Sequence, residues 1–236
     1  MKKYAIIDKR MPLSVAEGLK QRGFSLIPLP PFDRLDVPVS AHPDMLMFLG
    51  DRLICHADYF RIAEKELSEI AKIKDVEIEL SHEPIEEKYP YDVLFNAAEI
   101  GNIIICRERS VSTHIKEYSK RSNKKIVNVN QGYAKCSVCK VSGNAVITAD
   151  KSIAYAAANA GISVLEADPS AIFLNGYNCG FIGGASGNDG KNTYFCGNVE
   201  LHPNASEIID FCNAYGAPAV SLSKDPLYDV GTIFFI

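Results

Sequence analysis

Four small turns of one pattern recur along this chain of 236 residues: Gly50-Asp51, Gly101-Asn102, Gly143-Asn144 and Gly187-Asn188. They lie about 45 residues apart, a spacing that marks repeated supersecondary units. Glycine followed by Asp or Asn tolerates the positive φ angles of a tight hairpin. Apolar segments flank each turn: Met45–Leu49 and Leu53–Cys55, Val93–Phe95 and Ile103–Cys106, Val138–Val141 and Ala145–Thr148, Phe181–Ile182 and Thr193–Cys196. Each pair predicts a hairpin. A helical pattern follows each one. Asp58–Lys72 is predicted as a single helix, Ser110–Tyr118 opens on a capping serine, and Lys151–Ala160 runs from the cap Asp150 to the stop at Gly161. Pro203–Tyr215 ends before Gly216. These are the usual start and stop residues of helices. A short apolar strand closes each unit: Val76–Leu80, Ile126–Val129, Ser163–Leu165 and Ala219–Leu222.

A fifth unit is split between the termini. The chain ends on the apolar run Val230–Ile236 and begins on Tyr4–Ile7, followed by a helix at Leu13–Arg22, the stop Gly23 and the strand Phe24–Leu29. Joining the ends completes the repeat and leaves no open sheet edge there. The expected fold is α/β: a five-bladed β/α propeller of ββαβ repeats, closed by pairing of the N- and C-terminal strands. It forms one domain over residues 1–236, with units at 226–236 with 1–31, 37–80, 89–129, 132–167 and 176–223. An open, doubly wound sheet shares the element order and is the competing arrangement.

Composition narrows the function classes. Hydrophobic residues make up 47% and charged residues 23%, enough for a sizeable core without metals or disulfides. A net charge of −4 opposes binding to nucleic acid through phosphate contacts. The basic cluster Lys120, Arg121, Lys124 and Lys125 falls at a helix end, where cations suit the dipole. The apolar run at Tyr4–Ile7 is too short for a signal peptide, and no stretch is long enough to span a membrane. The expectation is a cytoplasmic protein whose seven cysteines are reduced thiols. The five histidines show no metal-ligand spacing, so neither metal nor cofactor is expected.

The five units, with a split closing blade, resemble the pentein fold of guanidino-group-modifying enzymes: deiminases, amidinotransferases and dimethylarginine hydrolases. A ribosome anti-association factor shares that fold without being an enzyme. The segment His42-Pro43-Asp44-Met45-Leu46-Met47-Phe48-Leu49-Gly50-Asp51 is similar to a family segment whose Asp helps bind the guanidinium. That role falls on Asp44, or on Asp51. The enzymes carry a nucleophilic cysteine in the final strand, where this chain has Asp229-Val230-Gly231-Thr232-Ile233-Phe234-Phe235-Ile236. They carry a general-base histidine at the start of the third hairpin, where this chain has Asn130-Gln131-Gly132-Tyr133-Ala134-Lys135-Cys136. Both catalytic residues are missing, so covalent chemistry of the family type would need a displaced nucleophile.

Residues that precede the inward strands should gather at one mouth of such a ring. Asp44, Asp92, Tyr133, Tyr177, Asn178 and Asp229 are the predicted ligand-binding residues, a set of carboxylates and tyrosines suited to a small cationic or amide ligand. The competing view is that Asp and Asn there close local turns and the tyrosines pack between units. Cys136 and Cys139, spaced C-x-x-C on a predicted strand, should face opposite sides and make a poor metal or redox pair. Cys136 or Cys179 is the candidate displaced nucleophile, with Lys135 near enough to lower a thiol pKa; buried, inert thiols are the competing expectation. Gly183–Gly190 resembles a phosphate loop but precedes a strand, so it is read as a long hairpin turn. Two functions remain: a small-molecule enzyme or binding protein of hydrolase, deiminase or amidinotransferase type, and a non-catalytic interaction protein.

Overall fold

The computed structural model describes residues 2–236. Five three-stranded sheets share one plan, in which an antiparallel pair is extended by a parallel strand. The strands are Met47–Leu49, Arg52–His56 and Glu77–Ser81 in one sheet and Ala98–Ile100, Ile103–Cys106 and Lys125–Asn128 in another. Cys139–Lys140, Ala145–Thr148 and Ser163–Glu166 form the next, then Ser186–Asn188, Thr193–Phe195 and Ala219–Ser221. The fifth joins the chain ends: Phe234–Phe235 runs antiparallel to Lys3–Asp8, with Ala5 opposite Phe235, and Phe24–Leu29 lies parallel on the other side. A sixth, two-stranded ladder pairs Ile172–Phe173 with Leu227–Tyr228.

Each middle strand is buried on both faces, which is why Ile103–Cys106 and Ala145–Thr148 read as continuous apolar runs rather than alternating ones. The parallel third strand requires a crossover, and a helix supplies it. Ser112 caps Thr113–Arg121 by accepting from His114 N, and Asp150 caps Lys151–Asn159 by accepting from Ile153 N.

Several boundaries differ from the sequence reading. Asp58–Lys72 is two helices, Ala57–Ile62 and Glu64–Lys74, parted at the buried Ala63, where φ is −116°. The strand before Gly101 is Ala98–Ile100, not Val93–Phe95, because a two-residue turn needs its strand immediately before it. Gly187-Asn188 lies inside a strand; the turn is the next four residues, where Asp189 Oδ1 accepts from the backbone of Lys191 and Asn192. Of Val230–Ile236 only the last three residues reach the first strand, Phe234–Phe235 in the ladder and Ile236 bonded to Tyr4, while Gly231 and Thr232 both have positive φ, 74° and 65°. Cys136 is not on a strand with Cys139. It sits on the single helical turn Ala134–Ser137, whose first N–H groups at Lys135 and Cys136 are accepted by Asn96 Oδ1.

Candidate functional site

The short helix Pro43–Leu46, the turn Ala134–Ser137 and the bend Asp229–Thr232 carry polar side chains into the interior. Asp44 N donates to Gly231 O, which fixes the first against the last. Thr232 Oγ1 donates to Asp44 Oδ2 at 2.7 Å and lies 3.0 Å from Gly183 O. Lys135 Nζ donates to Thr232 Oγ1 at 3.1 Å. Asn96 Nδ2 donates to Asp44 O and to Cys136 Sγ, both at 3.0 Å.

Thr232 is a β-branched residue in the left-handed region, a conformation that sterics disfavour and that surrounding contacts must enforce. Its N–H donates to Gly184 O at 2.9 Å, which holds the bend. Gly231 beside it cannot change: a Cβ there would lie 2.1 Å from His42 Cβ. Gly184 allows a similar approach, since its Cβ would fall 2.0 Å from Asp229 Oδ1.

Asp229 is buried and accepts from Phe181 N at 2.8 Å and Gly231 N at 3.0 Å. His42 stands between two carboxylates, with Nδ1 3.8 Å from Asp229 and Nε2 3.9 Å from Asp8. Asp8 is paired in turn with Arg10. Burial raises the Asp229 pKa from 3.8 to about 6; His42 opposes the shift and Asp44 adds to it. Burial lowers the pKa of Lys135, against the pull of Asp44. It also pushes the Cys136 thiol well up, reinforced by Asp44 and Asp229, so that sulfur is held protonated.

The predicted mouth residues fall into two groups and an outlier pair. Asp44 and Asp229 share the interior cluster with Cys136. Asp92 and Tyr133 are hydrogen-bonded to each other, and Tyr177 donates to Asp36 Oδ2 at 2.7 Å. Tyr133 feels both Tyr177 and Cys136 electrostatically, so this group adjoins the first. Burial raises the Asp92 pKa, with the Tyr133 hydroxyl opposing. Asn178 and Cys179 are exposed; Cys179 lines a separate cavity of about 140 Å³ with Gln131, Ser137 and Asp150.

Two carboxylate oxygens are unused, as is the Ser137 hydroxyl. Asp44 Oδ1 and Asp92 Oδ1 are buried with no nitrogen or oxygen donor among the described residues, and the protonated Cys136 thiol is the weak donor set beside the Asp44 carboxylate. A buried carboxylate oxygen left bare is costly, and a ligand N–H would satisfy it. Thr232, Lys135, Asn96 and His42 were not among the predicted binding residues. Thr232 and Lys135 lay in stretches singled out for other residues; Asn96 and His42 act through loop geometry that periodicity does not report.

Several solved enzymes share the fold of this chain. A dimethylarginine dimethylaminohydrolase variant in adduct with S-methyl-L-thiocitrulline matches with a TM-score of 0.54 and 12% identity, over 94% of this chain and 93% of that one. An agmatine deiminase of C. jejuni matches at 0.54 and 6%, covering 94% and 88%. An amidinotransferase of saxitoxin biosynthesis from Microseira wollei matches at 0.50 and 10%, covering 93% and 88%. At such identities the likeness is one of fold, the mixed α/β fold with small sheets of guanidino-modifying enzymes. No curated protein matches the sequence. The model of DUF6873, a family of unknown function, matches residues 6–234, and the chain belongs to that family.

Proposed function

We propose that this protein binds a small cationic or amide ligand at the centre of a five-bladed ring, with the carboxylates of Asp44, Asp92 and Asp229 as the binding groups. The observation that carries the reading is the pair of bare, buried oxygens, Asp44 Oδ1 and Asp92 Oδ1. Carboxylates accept and do not donate, so the complementary partner is rich in N–H groups. Five sheets of one plan, with Ala5 opposite Phe235 between the termini, support the ring. The segment that resembles the guanidinium-binding stretch of guanidino-modifying enzymes meets the two stretches that stand where those enzymes carry their cysteine and histidine: Asp44 bonds Thr232, and Thr232 bonds Lys135. Tyr133, Tyr177 and Asn178 form the approach in this reading.

Turnover is a second reading, favoured by the geometry of Thr232. Its strained backbone holds a hydroxyl between a desolvated lysine and a carboxylate, the usual surroundings of an activated oxygen nucleophile. Cys136 feels the charges of Asp44 and Asp229, and burial together with those charges keeps its thiol protonated. Hydrolysis would therefore run through Thr232 sooner than through Cys136 or Cys179.

A thermal-shift panel of arginine, agmatine, dimethylarginine and simple amides tests the reading. Binding raises the melting temperature in proportion to the logarithm of ligand excess. A shift that grows with concentration and is lost in Asp44→Asn supports it. No shift across the panel, or one that survives Asp44→Asn, rejects it in favour of a non-catalytic interaction protein. Citrulline, ornithine or ammonia appearing with arginine would mark turnover.

A further inference from the structure

The inward strands end in hairpin turns, and a second cavity of about 220 Å³ opens at that end. It shares no residue with the cavity beside His42 and Asp229. Three lysines line it, Lys74, Lys135 and Lys140, with two carboxylates, Asp51 and Glu99. Glu99 is already engaged: Oε1 meets Lys124 Nζ at 3.1 Å and Oε2 accepts from Tyr118 at 2.8 Å. Asp51 is exposed and accepts weakly from the same tyrosine, at 3.4 Å. Among the described residues, none of the three lysines forms an ion pair.

Lys140 is half-buried on the strand Cys139–Lys140 and has no hydrogen-bond partner for its ammonium among the described residues. Burial lowers its pKa; Lys124 and Lys74 lower it further, and Glu99 alone opposes them. Lys135 gives one N–H to Thr232 and keeps two for another acceptor. Two ammonium groups desolvated in one cavity repel each other and have lost hydration, and neither has an ion-pair partner among the described residues, although Asp44 and Glu99 offset part of the cost at longer range. A compact anion of charge near −2 would relieve both costs.

We propose that this cavity is an anion site for a small oxyanion of the phosphate class, with Lys140 and Lys135 as its principal ligands and Lys74 at the rim. Lysine binds phosphate as a point charge and does not demand the planar geometry of a carboxylate pair. The volume admits a phosphate with a short carbon skeleton as well as the free ion. The site adjoins the cationic one: Lys135 and Thr232 line this cavity and also belong to the Asp44 cluster, whereas Lys140 and Lys74 belong to this cavity alone.

Calorimetric titration of the full-length protein with inorganic phosphate, in a phosphate-free buffer of low ionic strength, tests it; glycerol 3-phosphate in parallel separates the free ion from an ester. One-site saturable binding is expected, weakened at least tenfold in Lys140→Met. Lys140→Met should also raise the melting temperature of the phosphate-free protein, because it removes an uncompensated charge while keeping the apolar stem. Three results would each overturn the proposal: no saturable binding of either probe, equal binding by Lys140→Met, or a phosphate-free Lys140→Met protein less stable than the parent.

Discussion

Thr232 Oγ1 donates a 2.7 Å hydrogen bond to Asp44 Oδ2, joining residues 188 positions apart. The contact holds a buried carboxylate and enforces an unfavourable backbone angle on the threonine. Two substitutions separate those effects. Thr232→Ala keeps the strained φ and leaves Asp44 with both oxygens bare, which should cost about 1–3 kcal/mol. Thr232→Gly loses the same hydroxyl but relieves the left-handed strain, worth roughly 1–2 kcal/mol. Urea unfolding should therefore rank the parent above Thr232→Gly, and Thr232→Gly above Thr232→Ala. The reverse order for the two variants would mean that Thr232 is not strained.

Asp229 sets a pH dependence with a definite sign. Its pKa is higher in the folded protein, about 6, than the 3.8 of a free side chain. Between those values the folded state binds more protons than the unfolded one, so stability falls as pH rises. The shift corresponds to about 3 kcal/mol across the window. Above pH 6 both states are ionised at this position and its contribution is level. Asp229→Asn should flatten the decline between pH 4 and 6, whatever it does to absolute stability. Parallel profiles for the two proteins would show that Asp229 titrates normally.

Much of this architecture was legible because hairpins and helix caps are local. Gly101-Asn102 is the two-residue turn that the pattern implies, Gly50-Asp51 turns the first hairpin together with Arg52, and Asp150 caps its helix as expected. The misreadings arose where side chains overrule backbone propensity. Asp189 builds its own turn and draws Gly187-Asn188 into the strand. Asn96 folds the Cys136 segment into a helical turn from 40 residues away. The interior polar cluster was half legible. Asp44 and Asp229 are predicted from their place before inward strands, whereas Thr232 lies in a stretch that the sequence marks only as lacking a cysteine. Its role depends on a φ angle, and no residue type announces that angle as glycine does.

The seven thiols should differ sharply in reactivity. Cys179 is exposed, and the other six are buried. Burial also raises the pKa of each of those six, to about 12 for Cys55, Cys106 and Cys139. Only the thiolate alkylates at a useful rate. Intact-mass measurement after iodoacetamide treatment at pH 8 should show one adduct per chain in the folded protein and seven in urea. Cys179→Ser should abolish the first without changing the melting temperature by more than a degree or two. Fast labelling of Cys136 in the folded state would contradict its placement and restore it as a nucleophile.

Tyr4 N donates to Ile236 O at 2.9 Å, and Ile236 N donates to Tyr4 O at 3.1 Å, so the last residue is held by the first strand. Phe235 reinforces the seam, with its ring centre 4.8 Å from that of Phe24 and 4.9 Å from that of Tyr194. It thus ties the terminal sheet to the strand Thr193–Phe195 of its neighbour. Phe235→Ala should cost about 2–4 kcal/mol, the range for deleting a large aromatic from a packed site. Removing Val230–Ile236 takes away the ladder, the Asp44 partner Thr232 and the backbone support for Asp44 together, and should abolish cooperative unfolding. A loss of stability alone would not prove closure, since any core truncation produces one. Circular permutation isolates the topology. Joining the ends by a short Gly/Ser linker and opening the chain at the Gly143-Asn144 turn preserves every strand pair if the termini belong to one sheet. That permutant should unfold cooperatively, with a midpoint within about 1–2 kcal/mol of the parent, because an exposed turn tolerates new ends. An unfolded permutant, beside a parent that folds, would mean that the seam between Ala5 and Phe235 does not close the molecule.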